Sequence, residues 1–272
     1  MFEHGVVAVD LAEDWAVLKT RLLRLQRLGT RRLTLVHVVS PGFPVAAERA
    51  HRHEQQQKLH AAEEEVRALG FEVESRLLVG ELALQLDSAM EEAGAGYLVA
   101  GARAHGPIRE LVMGNAVLDL ARNAARAVWL EPLSAEQVTT GGGGVLLATD
   151  GSEAAQAAES IAGELIKAFG NGVAVWVKPK QWLPGESVTE PSDLHTHLQE
   201  LSARHPPLRH QVSEGDPARE IQRIAMQQSS DVIVLGKRGR NPVTSLLMGR
   251  TAERICRHAP TAILLVPGQA SG

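Results

Sequence analysis

Aromatic side chains are scarce in this chain of 272 residues, where four Phe, four Trp and one Tyr make up only 3% of the whole. Any core must therefore be packed from Leu, Val, Ile and Ala. Cysteine is scarcer still. The single Cys256 excludes an internal disulfide and a thiolate zinc cluster, and its helical spacing makes it a packing residue in a reduced setting. No apolar run approaches the roughly 20 residues of a membrane helix. Met1-Phe2-Glu3-His4 lacks the basic start of a secretory signal. A soluble, cytoplasmic protein is expected. Charge of one sign is also missing: 28 Lys and Arg against 32 Asp and Glu leave a net charge of −4, which gives no general attraction to nucleic acid or an acidic membrane.

Several catalytic signatures are absent too. There is no G-x-S-x-G nucleophile elbow. Gly236-Lys237 is not followed by Ser or Thr, as a P-loop lysine would be. His51, His53 and His60, and the pair His195 and His197, lack the helical His pair with an adjacent Glu that zinc sites use. They are read as surface histidines, and no metal site is expected. With no general base and no second carboxylate for magnesium beside Asp150, fast hydrolysis of a nucleotide is not expected.

What is present begins with ordinary globular material, 44% hydrophobic and 22% charged. It is arranged twice. Gly80, Gly101 and Gly114 recur as Gly215, Gly236 and Gly249 at a constant offset of 135 residues. Ala127-Val128-Trp129-Leu130 matches Ala262-Ile263-Leu264-Leu265, and Val6 to Asp10 matches Leu146 to Asp150. Repetition on this scale means two copies of one domain, because solenoid repeats have much shorter periods. The expected boundaries are a domain over 1–133, a linker over 134–144 carrying Gly141 to Gly144, and a domain over 145–272.

Each half alternates short apolar runs with helical patterns. In the first, strands are predicted at Val6–Val9, Leu33–Val39, Phe71–Leu78, Tyr97–Ala100 and Ala127–Leu130. Between them, helices are marked by Trp15, Leu18, Leu22 and Leu25, by Leu59, Ala62, Val66 and Leu69, and over Leu82–Glu92 and Ile108–Arg122. The second half has strands at Val145–Ala148, Val173–Val177, Leu208–Val212, Val232–Leu235 and Ala262–Val266. Its helices are predicted over Ala154–Phe169, near Leu194–Ala203, from Pro217 and over Ser245–Arg257, with a polar insertion around Leu183–Pro191. Alternation of this kind builds an α/β fold with a parallel sheet covered by helices on both faces.

Ligands of open parallel sheets bind beyond the carboxyl ends of the strands, where the strand order reverses. Asp150 ends the first strand of the second half, and the basic loop Gly236-Lys237-Arg238-Gly239-Arg240 follows the fourth. Glycines let backbone N–H groups approach an anion, and a following helix N-terminus adds donors. Asp150 suits hydroxyl or amino donors of a ribose or base, but Asp-Gly-Ser is also a common turn and helix cap. Both readings of Asp150 stay open on the residue alone.

The motifs Ala148-Thr149-Asp150-Gly151-Ser152, Gly215-Asp216-Pro217-Ala218 and Asp231 to Gly236 resemble those of the universal stress protein family. So does the spacing Gly236-x2-Gly239-x9-Gly249, with the tail Ala252 to Pro260 before the last strand. Two such domains in tandem cover nearly the whole chain. The resemblance implies five-stranded sheets in the order 3-2-1-4-5, an adenine nucleotide alpha-hydrolase-like fold. It also implies ATP or AMP as ligand, with Mg2+ alongside ATP, and no prosthetic group. The implied nucleotide-binding residues are Thr149, Asp150, Val177 through its backbone, Leu235, Gly236, Arg238, Gly239, Arg240, Gly249, Arg250 and Thr251.

One departure touches the second half: the family pattern has Ser or Thr directly after the last glycine, where this chain has Arg250. Losing a hydroxyl bond to a charged phosphate costs roughly 1.5–3 kcal/mol, which a guanidinium can replace in part. The first half departs further. Ala104 replaces the second glycine, with Gly106 displaced; Asn115 replaces the Ser or Thr; Leu11 replaces the glycine after Asp10. A positive φ at Ala104 would cost on the order of 1–2 kcal/mol. Its weaker candidates are Asp10, Val38, Gly101, Gly114 and Asn115, in a degenerate copy.

The expectation is a non-catalytic, nucleotide-responsive stress or signalling protein acting on an unknown protein partner. Two alternatives stand beside it: a ligand-free interaction scaffold, its crevice filled by Arg250, and a weak enzyme acting on adenosine phosphates. Family members of one domain commonly dimerise, so an intramolecular pseudo-dimer or a homodimer is expected, with the closing strands of the halves paired to each other or to another chain.

Overall fold

The structure, a computed structural model, describes residues 1–11, 14–39, 45–102, 115–133, 142–178, 191–239, 248–258 and 260–268. By packing, the chain forms two compact units, one from Met1–Ala102 with Ala124–Leu133 and the other from Arg103–Asn123 with Ser134–Gly272.

The first unit holds strands β1 (His4–Ala8), β2 (Arg32–Val39), β3 (Glu72–Val79), β4 (Tyr97–Ala102) and β5 (Ala127–Pro132). Its helices are α1 (Trp15–Gln26), α2 (Val45–Arg67) and α3 (Leu82–Ala93). The strands lie in the order β3-β2-β1-β4-β5. Every pairing is parallel, with Val6 opposite both Thr34 and Leu98. Strands covered on both faces must be apolar throughout. Accordingly Val6, Val7, Leu33, Leu35, Leu98 and Val128 are all fully buried, each such side chain contributing about 1.5–3 kcal/mol.

The second unit takes helix α4 (Asn115–Asn123) from the first repeat. To this it adds β6 (Val145–Ala148), α5 (Glu153–Phe169), β7 (Gly172–Lys178), α6 (Pro191–Arg204) and β8 (Leu208–Glu214). It is completed by α7 (Pro217–Gln227), β9 (Val232–Gly236), α8 (Arg250–Arg257) and β10 (Ala262–Val266). Its strand order is β10-β9-β6-β7-β8, again parallel throughout. In chain order this is 3-2-1-4-5, as expected. Consequently β6 and β9 are neighbours, with Ala148 opposite Leu235, and the strand order reverses between them.

Local chemistry sets several helix ends. Pro217 opens α7, and the Asp216 side chain caps it by accepting from the Arg219 N–H at 3.0 Å. One boundary differs from expectation. Of the helix predicted over Ser245–Arg257, residues 245–247 lie outside the described residues; among the described ones α8 begins at Arg250, because Gly249 is extended (φ −63°, ψ 146°) and its N–H donates to the Lys237 carbonyl at 2.8 Å. That bond holds Gly249 against the preceding loop.

Candidate functional site

At the carboxyl edge of the second unit, the Thr149 N–H donates to the Val175 carbonyl at 3.1 Å, so the chain continues past β6 in register with β7. It then turns sharply at Gly151, whose φ is +67°. A side chain there would be strained, and its Cβ would also meet Leu194 Cδ1 of α6 at 2.5 Å. The Asp150 carboxylate accepts from the Ser152 N–H at 3.0 Å through Oδ1. Its other oxygen, Oδ2, lies against the glycine loop: a Cβ on Gly239 would stand 2.5 Å from it. The turn role and the approach to the loop thus coexist in one carboxylate.

The loop after β9 is clipped at both sides. The Lys237 N–H donates to the Val266 carbonyl at 2.7 Å, while its own carbonyl receives the Gly249 N–H. A Cβ on Gly249 would be 3.8 Å from the Gly239 nitrogen, so Gly239 and Gly249 face one another. Gly236, Arg238 and Gly239 are half-buried. Lys237, expected to lend its charge to the loop, is instead buried at 7% exposure, as the two backbone bonds draw it inward. Val177, near the end of β7, and Leu235, opposite Ala148 near the end of β9, are both buried. Arg250 is exposed and Thr251 half-buried, both in the first turn of α8. Arg240 lies outside the described residues.

α8 is held from two sides, by α7 with its cap residue and by α4. Arg254 Nη1 pairs with Asp216 Oδ2 at 2.6 Å, the Glu253 carboxylate takes Arg122 of α4 at 2.7 Å and Arg257 at 2.8 Å, and Gln222 Nε2 donates to the His258 carbonyl at 2.9 Å. Hydrogen bonds from Arg257 and then Arg122 hold the Glu253 carboxyl below its ordinary range, and the Arg254 bond does the same for Asp216.

A buried polar group that sequence reasoning missed stands behind Thr149. The Thr149 hydroxyl donates to Glu159 Oε1 of α5 at 2.5 Å and accepts from the Gly151 N–H at 3.1 Å. His197 Nε2 of α6 reaches both oxygens of Glu159, at 2.9 and 3.0 Å. Glu159 is only 5% exposed. His197 is therefore not the free surface histidine expected from the sequence. His195 packs edge-on to His210 with ring centres 5.7 Å apart. A signal for Glu159 was available: it sits on an apolar stripe with Ala155, Ala158, Ala162 and Ile166.

The first unit arranges its equivalent edge differently. Asp10 follows β1 and is exposed, and Val38 is half-buried in β2. His37 Nδ1 is 2.7 Å from the Val9 carbonyl. Gly101 stays within β4 opposite Glu131, and Leu133 Cδ1 lies 2.6 Å from where a Cβ on Gly101 would be. Glu131 is 1% exposed; Arg24, Arg21 and Trp129 approach it at 3.2, 3.6 and 2.9 Å. Burial pushes its carboxyl up, against the pull of the two arginines and the indole. Gly114 and the Asn115 side chain lie outside the described residues, as does the side chain of His51. Among the described residues, His60, Glu63 and Glu64 come within 4.8 Å of one another on α2, and Arg67 donates to both carboxylates.

An open, doubly wound parallel sheet with an acidic turn facing a glycine loop defines an α/β protein of the adenine nucleotide alpha-hydrolase-like fold. Residues 1–130 and 144–267 each match the model of the Universal stress protein family. The chain belongs to that family, as a tandem member.

A universal stress protein of Archaeoglobus fulgidus DSM 4304 superposes with a TM-score of 0.80 at 18% identity, covering 98% of this chain and 99% of that one. A functionally unknown protein, PA1789, from Pseudomonas aeruginosa PAO1 gives 0.65 at 18% identity, covering 98% and 92%. In sequence, 55 residues are 42% identical to a universal stress protein of Methanothermobacter thermautotrophicus, covering 20% of this chain and 37% of the relative. The chain thus spans little more than a third of that relative's length. Slr1101 of Synechocystis is 30% identical over 105 residues, 38% of this chain and 95% of that protein. Among the described residues, no helix is long and apolar enough to cross a membrane.

Proposed function

We propose that the second unit binds an adenine nucleotide, ATP or AMP, in the crevice between the Asp150 turn and the glycine loop, and that the protein responds to it without catalysis. The observation that carries this reading is the approach of Asp150 Oδ2 to Gly239. It places an acceptor for ribose or base donors beside a loop whose backbone can meet phosphates. Arg250, standing where the family has a hydroxyl, is exposed, which favours phosphate contact by its guanidinium over a plug of the crevice. Mg2+ would accompany ATP through phosphate oxygens. Nucleotide binding stabilises the folded loop by mass action and so alters the surface offered to a protein partner. The first unit, with Leu133 over Gly101, serves as a degenerate copy.

Calorimetric titration of the full chain with ATP, AMP and ATP with Mg2+, alongside thermal melting, tests the proposal. A saturable heat and a raised melting temperature, both lost in Asp150→Ala, are expected. Absence of any response at millimolar nucleotide refutes it. Steady phosphate release by the wild type, abolished in Asp150→Ala, would overturn the non-catalytic part.

A further inference from the structure

Glu159 is a carboxylate placed where an amphipathic helix calls for an apolar residue, and burying such a group without partners is costly. Its partners show what it does. Both its oxygens accept, so Nε2 of His197 must carry a proton, and the Thr149 hydroxyl hydrogen must point at Oε1. With its hydrogen committed, the Thr149 oxygen can only accept, which it does from the Gly151 N–H. That N–H belongs to the left-handed residue on which the turn depends. The next N–H, of Ser152, holds Asp150 Oδ1. Hydrogen bonds therefore lead from α6 through Glu159 and Thr149 to the Gly151 N–H, and one peptide unit further on the Ser152 N–H holds the carboxylate that faces Gly239. Leu194, one helical turn before His197 on α6, lies against Gly151, its Cδ1 2.5 Å from where a Cβ would stand.

We propose that Glu159 is the positioning residue of the crevice: by gripping Thr149 from behind and His197 on α6, it sets the 149–152 turn so that Asp150 meets the glycine loop. The proposal rests on the nucleotide reading above. Glu159 touches no ligand; it acts through Thr149.

The test uses four full-length variants, E159Q, E159L, T149V and the double T149V/E159L, each measured by ATP titration and by melting. An amide can accept from Thr149 and donate to the other tautomer of His197, so E159Q keeps its affinity within about threefold. E159L strands the Thr149 hydroxyl. Its melting temperature falls, and its affinity drops roughly tenfold or more, as loss of an ordering hydrogen bond implies. In the double variant the Thr149 hydroxyl is no longer stranded, so melting recovers in part relative to E159L, the Gly151 N–H and His197 still lacking their partners, yet ATP binding stays as weak as in T149V alone. A double variant whose affinity recovers along with its melting would show a purely structural role and overturn the proposal. Wild-type protein that binds neither ATP nor AMP would instead remove the nucleotide reading, and this inference with it.

Discussion

Replacing Gly239 with alanine separates binding from stability at the point where the crevice closes. The φ of Gly239 lies outside the left-handed region, so the backbone accepts alanine without strain. The new methyl, however, would stand 2.5 Å from Asp150 Oδ2, and carbon and oxygen require roughly 3.3–3.5 Å. The yielding atom is the end of a side chain, so the Asp150 carboxylate retreats by about 1 Å, and the loop stays put. That motion loosens the bond to the Ser152 N–H, at a cost to folding of about 0.5–1.5 kcal/mol. The melting temperature should then fall by only about 2–4 °C. Nucleotide binding suffers more, because a carboxylate bond to a ribose or base donor is charge-assisted and worth about 1.5–3 kcal/mol, or roughly 10- to 150-fold in affinity. Titration with ATP and a thermal melt on the same preparation read both quantities. Unchanged affinity in Gly239→Ala, with clear loss in Asp150→Asn, would refute the claim that the closest approach of turn and loop is the binding geometry.

Two further outcomes follow from groups away from the crevice. Glu253 is held below its ordinary value of 4.5 by Arg257 and Arg122, so its contribution to stability is complete above that value and lost as pH falls through the lower folded-state value. Glu253→Gln should therefore melt lower than wild type at pH 7, with the gap closing in acid; a gap independent of pH would show that the ion pairs contribute nothing. Cys256 is 1% exposed, and burial pushes its thiol up to about 12. Dithionitrobenzoate should leave it unmodified in the native protein and label one thiol after denaturation, whereas fast native labelling would contradict its packing.

The sheets were legible because strands buried on both faces must be runs such as Val232 to Leu235, and the repeat fixed which run answered to which. The crevice was legible for a related reason: Gly151 and Gly239 occupy places where a Cβ would collide with Leu194 or Asp150, so the geometry is written into residue type. The extended conformation at Gly249 was not, since helical periodicity carries no mark of its bond to Lys237. Glu159 and His197 escaped because each looks ordinary alone. Only their meeting across α5 and α6 gives them meaning, although a charge amid Ala155, Ala158 and Ala162 was a visible anomaly. Glu131 could have been found by setting it beside Val266, its apolar counterpart in the other repeat. The affiliation of α4 depends on tertiary packing, which local pattern does not encode.

Because α4 packs with the second unit and Arg122 pairs with Glu253 of α8, cutting the peptide between the repeats would separate α4 from the unit it packs in. A fragment beginning at Ser134 would carry Asp150 and the glycine loop yet lack Arg122, one of the partners of α8. Nicking the intact chain in that stretch should leave the pieces travelling together through a sizing column. The first repeat thus lends a helix to the unit that carries Asp150 and the glycine loop.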